Sequence, residues 1–220
     1  SAAVSVRVPM PDLSLYLVTD RGLSKGWATV DIVRAAVAGG VTCVQLREKL
    51  GTTREFVAEA RAVRKLLHGT GIPLVINDRI DVALAVGADA VHLGQSDMLI
   101  QDARRIVGKS MLIGISAGCV EDAVRAQAEG ADYVGISPVF ATPTKTDTAP
   151  PLGLAGVSAI RAAVSIPLVG IGGIGIGNAA DVIRAGCDGV AVVSAIVGAL
   201  CPETAATDLK TIIRAAKERA

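Results

Sequence analysis

Apolar and polar positions alternate along this chain in two rhythms. Short continuous apolar runs, bounded by glycine, proline or small polar residues, are separated by longer stretches whose apolar positions recur every third or fourth residue. The first rhythm marks buried strands and the second amphipathic helices. Strands are expected at LYLVT (15–19), PLVIN (73–77), MLIGIS (111–116) and PLVGIG (167–172). Four more come from an internal repeat: GGVTCVQL (39–46), GADAVHL (87–93), GADYVGI (130–136) and GCDGVAV (186–192). In each repeat a glycine closes a helix in the left-handed conformation, a small polar turn follows, and a strand begins. The spacing predicts helices over 29–39, 53–67, 79–86, 99–107, 120–129, 153–164, 177–185 and 203–218.

Strict alternation of eight strands with eight helices predicts an α/β fold, a single (βα)8 TIM barrel. An open doubly wound sheet is the alternative. It would carry a glycine fingerprint after its first strand, whereas GIGGIG (170–175) follows the seventh. A chain of 220 residues suits one such domain. Residues 1–12 are expected to form a loose N-terminal leader and 13–220 the catalytic barrel.

Composition narrows the function classes. With 51% hydrophobic residues and a net charge of +1, the chain is neither disordered nor held to nucleic acid by bulk charge, so any phosphate binding must be local. Cys43, Cys119, Cys187 and Cys201 are scattered without metal-ligand spacing, which argues against zinc and a disulfide framework and for small core residues in a reducing, cytoplasmic setting. No apolar run reaches the roughly 18 residues a membrane span needs. Neither nucleic acid nor membrane is therefore an expected partner, and a homo-oligomer is left open.

In a barrel of this kind the active site is built at the carboxyl ends of the strands. The residues just past each run are Asp20 and Arg21; Arg47, Glu48 and Lys49; Asn77 and Asp78; Gln95 and Asp97; Ser116; Ser137; the seventh-strand glycines; and Ser194. Asp78 and Asp97 follow neighbouring strands, about 4.8 Å apart in a sheet. Both carboxylates could reach one ion, and two hard oxygen ligands suit Mg²⁺. The plainer reading makes each aspartate a helix cap. Arg47 and Lys49 alternate with Glu48 and form an anion site, unless they only pair with Glu48 or Glu55.

Residues 140–153, FATPTKTDTAPPLG, are too long for a plain turn and read as a lid with Thr142, Thr144 and Lys145 as its working groups. GIGGIG and VVSA (192–195) follow strands seven and eight, where barrels bind phosphate through backbone amides, although tight turns alone also demand glycine. His92 is expected to be a hydrogen-bonded core residue rather than a catalyst, and His68 a charge at a helix end.

QLREK (45–49), NDRIDVAL (77–84), VHLGQSD (91–97), ATPTKTD (141–147), GIGGI (170–174) and VVSAI (192–196) resemble, in order and beginning from VTDR (18–21), the motifs of the thiamin phosphate synthase family. The resemblance implies a (βα)8 enzyme that joins hydroxymethylpyrimidine diphosphate to thiazole phosphate and releases pyrophosphate. It implies that Gln45, Arg47, Lys49, Asn77, Ser116 and Lys145 hold the pyrimidine diphosphate, that Asp78 and Asp97 hold Mg²⁺, and that Thr142, Thr144, Gly173, Val193 and Ser194 hold the thiazole phosphate. Glu48 and Pro143 are counted with the substrate-binding set. Lys145, Ser116, Arg47 and Lys49 are the expected catalytic groups. The reaction needs no general base, which fits a chain without a Ser/His/Asp or Cys/His arrangement.

One departure stands out: many members carry a histidine two residues past the serine, and here Ser116 is followed by Ala117, Gly118 and Cys119. The rival readings are a thiazole tautomerase-like relative without the diphosphate clamp, a phosphosugar isomerase or epimerase, and a non-catalytic binding protein.

Overall fold

The computed structural model describes residues 8–142 and 150–219. Its strands are β1 (Leu15–Val18), β2 (Cys43–Leu46), β3 (Leu74–Asn77), β4 (Ala90–Leu93), β5 (Leu112–Ala117), β6 (Tyr133–Ile136), β7 (Leu168–Ile171) and β8 (Gly189–Val192). They are all parallel and close in sequence order, β8 pairing back onto β1. The expected barrel is therefore the observed one. The open-sheet alternative falls, because Leu15 to Leu17 pair with Val190 to Val192 and leave no edge.

The helices are α1 (Thr29–Gly39), α2 (Thr53–Leu67), α3 (Ile80–Val86), α4 (Ile100–Val107), α5 (Val120–Ala128), α6 (Gly153–Ala163), α7 (Ala179–Ala185), α8 (Ser194–Val197) and α9 (Pro202–Glu218). The start of α2 shows why the helical rhythm was readable: the Thr52 hydroxyl accepts from Glu55 N–H at 3.2 Å while the Glu55 carboxylate accepts from Thr52 N–H at 3.0 Å, a reciprocal capping box. The single turn α8 is an addition to the eight helices expected.

Two layers of apolar packing surround the strands. Leu15, Leu17, Val44, Leu46 and Ile76 face outward and pack with helix residues such as Ile32, Phe56 and Leu209. Tyr16, Val18, Cys43, Val75, Leu112, Tyr133 and Val169 form a separate cluster without helix residues, which is the barrel interior. Val8 packs against that inner cluster, and the Asp12 carboxylate accepts from Ser14 N–H at 2.9 Å.

The repeat has a mechanical role. Gly40, Gly87, Gly130 and Gly186 all take positive φ, as the helix-closing glycine requires. The polar residue that follows reaches sideways to the preceding strand. Asp89 accepts from Leu74 N–H (2.8 Å), Asp132 from Ile113 N–H (2.8 Å) and Asp188 from Leu168 N–H (2.9 Å), while the Thr42 hydroxyl accepts from Leu15 N–H (3.0 Å). Each even-numbered strand is thus stitched to the odd-numbered strand before it at the end of the barrel away from the site. Arg104 and Arg161 brace two of these stitches, pairing with Asp132 at 2.8 Å and Asp188 at 2.9 Å.

Candidate active site

The loop after β3 carries the first unusual feature. Asp78 has φ +64°, one of two non-glycine residues in the left-handed region among the described residues. Such a backbone costs about 1–3 kcal/mol and persists where surroundings impose it. Here the Asp78 N–H donates to His92 O at 2.8 Å and Arg79 N–H donates to Asn77 O at 2.7 Å, so the chain doubles back sharply at the strand end. The result turns the Asp78 carboxyl toward that of Asp97, close enough to hydrogen-bond. Burial, then contact with Asp97, raises the Asp78 pKa above the usual carboxylate range, while Lys49 and Arg79 oppose the rise.

The helix-cap readings do not hold. The residue entering α3 is Arg79 and that entering α4 is Leu99, and neither helix has a side-chain cap. Asp97 instead accepts from Gly94 N–H at 2.7 Å, closing its own turn. Two carboxylates meeting at the barrel mouth form a hard-oxygen donor set that a divalent cation would neutralise, so the pair fits Mg²⁺. Among the described residues no third His, Cys, Asp or Glu joins them, in keeping with an ion that keeps most of its water and takes other oxygens from a phosphate.

Around this pair the strand ends supply the rest. Thr19 N–H donates to Gln45 O (3.0 Å) and Arg47 N–H donates to the Thr19 hydroxyl (3.1 Å), fixing the backbone from which the half-buried Arg47 and exposed Lys49 project. Among the described residues neither enters an ion pair: Glu48 pairs with Arg21, and Glu55 serves the α2 cap. Asn77 Nδ2 donates to Gln45 Oε1 at 3.0 Å, and the Ser116 hydroxyl meets His92 Nε2 at 2.8 Å. Gln95 ties the β4 and β5 loops together, donating to Ser116 O at 2.6 Å.

On the opposite side, residues after β6 run alongside the glycine turn after β7. Phe140 N–H donates to Gly172 O at 3.1 Å, and a side chain at Gly173 would press on Phe140 and on Ala141 O, so Thr142 enters the rim beside Gly173. Val193 leads into α8, whose first residue is the exposed Ser194. The glycines at 172 and 173 both have positive φ. Asn178, which sequence reasoning passed over, closes their turn by accepting from Gly175 N–H (2.9 Å) and donating to Gly173 O (2.8 Å). Pro143, Thr144 and Lys145 lie outside the described residues.

The family model described as "Thiamine monophosphate synthase" matches residues 15–196, which takes in all eight strands. The chain belongs to the thiamine monophosphate synthase family. A thiamine-phosphate synthase of Albidiferax ferrireducens is 55% identical over 94% of this chain and 95% of its own. One of Chloroflexus aurantiacus is 51% identical over 95% and 96%. The solved structure of a thiamine phosphate pyrophosphorylase from Pyrococcus furiosus superposes with a TM-score of 0.87 at 40% identity, covering 93% of this chain and 97% of that one.

Within this family member, one residue of the expected substrate set is directed elsewhere. The Glu48 side chain is 4% exposed and lies between β2 and α2, paired with Arg21 at 3.2 Å and facing the Glu59 carboxyl. Glu48 Oε1 and Glu59 Oε1 are the two buried side-chain oxygens without a hydrogen-bond partner among the described residues. One proton held between them would satisfy both. Burial, then Glu59 and Asp20 against the opposing Arg21, pushes Glu48 up to about 7 from an ordinary 4.5.

A raised carboxyl stabilises the fold fully below its ordinary value and loses that contribution as pH climbs through about 7. Glu59→Gln removes the repelling charge. Its melting temperature should match the unmodified protein near pH 5 and exceed it by roughly 2–4 °C at pH 8, for about 1 kcal/mol in a domain of this size. Parallel melting curves across that range would show that the two carboxyls do not share a proton.

The other sequence expectations fall out simply. Cys43 and Cys187 are core residues, but Cys119 is half-buried and Cys201 exposed; all four are free thiols. His68 is the residue capping the C-terminus of α2. His92 is buried and hydrogen-bonded, as expected, and burial pushes its pKa down to about 4.

Proposed function

We propose that the carboxyl end of this barrel joins 4-amino-2-methyl-5-hydroxymethylpyrimidine diphosphate to 4-methyl-5-hydroxyethylthiazole phosphate by dissociative displacement, with Mg²⁺ held at Asp78 and Asp97. Thiamin phosphate synthesis as the chain's activity, a transferase reaction of thiamin biosynthesis, rests on its family and on relatives that match over nearly their whole length. The division of labour among residues is our reading. The observation that carries it is the meeting of the Asp78 and Asp97 carboxyls, with Lys49 and Arg79 nearby.

When bound, the ion offsets the charge of the diphosphate and draws electron density toward it. Arg47 and Lys49 clamp the same group from the β2 end, and Lys145 adds a third cation from the segment outside the described residues. The methylene carbon–oxygen bond breaks with its electron pair leaving on the diphosphate, and the electron-rich pyrimidine stabilises the resulting cation. The thiazole nitrogen lone pair then forms the carbon–nitrogen bond. No proton is removed, so the work of the protein is positioning and charge stabilisation.

Gln45 orients Asn77 beneath the pyrimidine, and Ser116 donates to the diphosphate. Thr142, Thr144, Gly173, Val193 and Ser194 hold the thiazole phosphate, and Pro143 is counted with the substrate-binding set. An isomerase would need an acid and a base at the substrate carbon, and Glu48, the candidate, is committed to Glu59 and Arg21. Among the described residues no helix is long and apolar enough to cross a membrane.

Titration calorimetry with inorganic pyrophosphate tests the assignment. Binding is expected with Mg²⁺ present and at least tenfold weaker in EDTA; equal affinity in both would remove Asp78 and Asp97 from ion holding.

A further inference from the structure

Beneath the proposed diphosphate site a chain of side-chain hydrogen bonds runs unbroken through the barrel interior. Asn77 Nδ2 donates to Gln45 Oε1 (3.0 Å), and Gln45 Nε2 donates to Tyr16 Oη (2.8 Å). Tyr16 Oη meets Tyr133 Oη (2.7 Å), Tyr133 Oη meets His92 Nδ1 (2.9 Å), and His92 Nε2 meets Ser116 Oγ (2.8 Å). Both ends are half-buried residues of the site, and the middle is sealed: Tyr16, Gln45, Tyr133 and His92 are 1%, 3%, 2% and 4% exposed.

Space has been cleared for this chain. A side chain at Gly114 would run into the ring and hydroxyl of Tyr133, and one at Gly135 would meet His92 Cε1 at 3.1 Å. Neither glycine has a positive φ, so no turn demands it. Glycine inside a strand weakens the strand and marks a close approach. Here the groups that approach are two members of the chain.

Counting protons gives the chain a direction. Each phenol has one proton to donate, and a buried donor without an acceptor is costly. Tyr16 already accepts from Gln45, so its own proton goes to Tyr133. The Tyr133 proton then goes to His92 Nδ1. An imidazole that accepts at Nδ1 carries its proton on Nε2 and donates it to Ser116 Oγ. That leaves the Ser116 hydroxyl proton free to point into the site.

We propose that His92 is a positioning residue: its Nε2–H tautomer, imposed by Tyr16 and Tyr133, makes Ser116 a dedicated hydrogen-bond donor to the departing diphosphate. This rests on the reading that Ser116 touches that group. A leaving anion gains from a preorganised donor. With the opposite tautomer, Ser116 would donate to His92 and turn lone pairs toward an anion. The same distinction holds at the other end, where Gln45, by donating to Tyr16, keeps its carbonyl for Asn77.

The tautomer can be read directly. The chain has two histidines, so ¹⁵N imidazole spectra of the full-length protein and of His92→Asn identify the His92 signals without ambiguity. The expected pattern is a protonated Nε2 and a bare Nδ1, with Tyr133→Phe releasing that preference. An Nδ1–H tautomer in the unmodified protein would overturn the proposal.

A kinetic cycle supplies the functional test. His92→Asn should lower kcat about 10- to 100-fold with the KM for thiazole phosphate unchanged. The His92→Asn/Ser116→Ala pair should be no slower than Ser116→Ala alone, and His92→Gln, whose amide reaches the Nε2 position, should recover part of the loss. Losses that multiply would mean His92 only packs the core and would overturn the positioning role. An unmodified protein that forms no product would count against the proposed reaction, while the spectra would still decide the tautomer.

Discussion

An Asp78→Ala protein is expected to lose about a thousandfold in kcat while binding thiazole phosphate as the unmodified protein does. The size is that expected of removing one of the two proposed ligands to an ion offsetting the leaving-group charge, worth several kcal/mol where charge develops. Selectivity follows from geometry, since Thr142, Gly173 and Ser194 are positioned by the ends of β6, β7 and β8, away from the β3 and β4 loops that carry the carboxylates. Asp78 also sits at φ +64°, so alanine adds backbone strain to lost charge. Asp78→Asn separates the two, because asparagine tolerates that conformation; it should remain as stable as the parent and nearly as slow as the alanine protein. Calorimetry with each ligand checks the claim, and equal losses of pyrophosphate and thiazole phosphate affinity would contradict two separate subsites.

The second large effect concerns stability. Asp132→Ala should destabilise the fold by roughly 2–3 kcal/mol. The Asp132 carboxylate accepts from the backbone of the fully buried Ile113 and pairs with Arg104, which in turn donates to Met111 O at 2.7 Å and Gly108 O at 3.1 Å. Removing it orphans a buried N–H and loosens the arginine that holds the α4–β5 turn. A melting temperature lower by roughly 4–12 °C is expected, with activity at low temperature preserved because the stitch lies at the end of the barrel opposite the site. Asp132→Asn keeps an acceptor for Ile113 and should cost less. An alanine protein as stable as the parent would mean that water takes over the hydrogen bond without penalty.

The repeat containing Asp132 illustrates what a sequence reveals and what it hides. Its period, its glycine and the strand after it are local properties, and with the four apolar runs between the repeats they sufficed for eight strands and a closed barrel. That its aspartate reaches back to an earlier strand is a relation between residues such as Asp132 and Ile113, 19 positions apart, which no local pattern expresses. The site divides the same way. That Asp78, Asp97, Arg47 and Ser116 share one rim was legible because parallel topology carries every strand end there.

Tyr16 and Tyr133, separated by 117 positions, meet inside the barrel only once it is closed. Their signal was faint but present: a tyrosine on β6 whose register partner on β5, Gly114, has no side chain. Alternation past the end of β2 already sets Glu48 on the side opposite Arg47 and Lys49, and there it meets Arg21 and the half-buried Glu59; counting it with the substrate set ran against that alternation. Asn178 was hidden by the conspicuous glycines it serves.

The most direct test of the central claim is product formation from the two purified substrates, with Mg²⁺ and then with excess EDTA. Thiamin phosphate formed only when the metal is present, and lost in the Asp78→Asn/Asp97→Asn protein, is the result this account predicts. Product formed at the same rate in EDTA, or a folded protein that binds thiazole phosphate and forms no product, would contradict it.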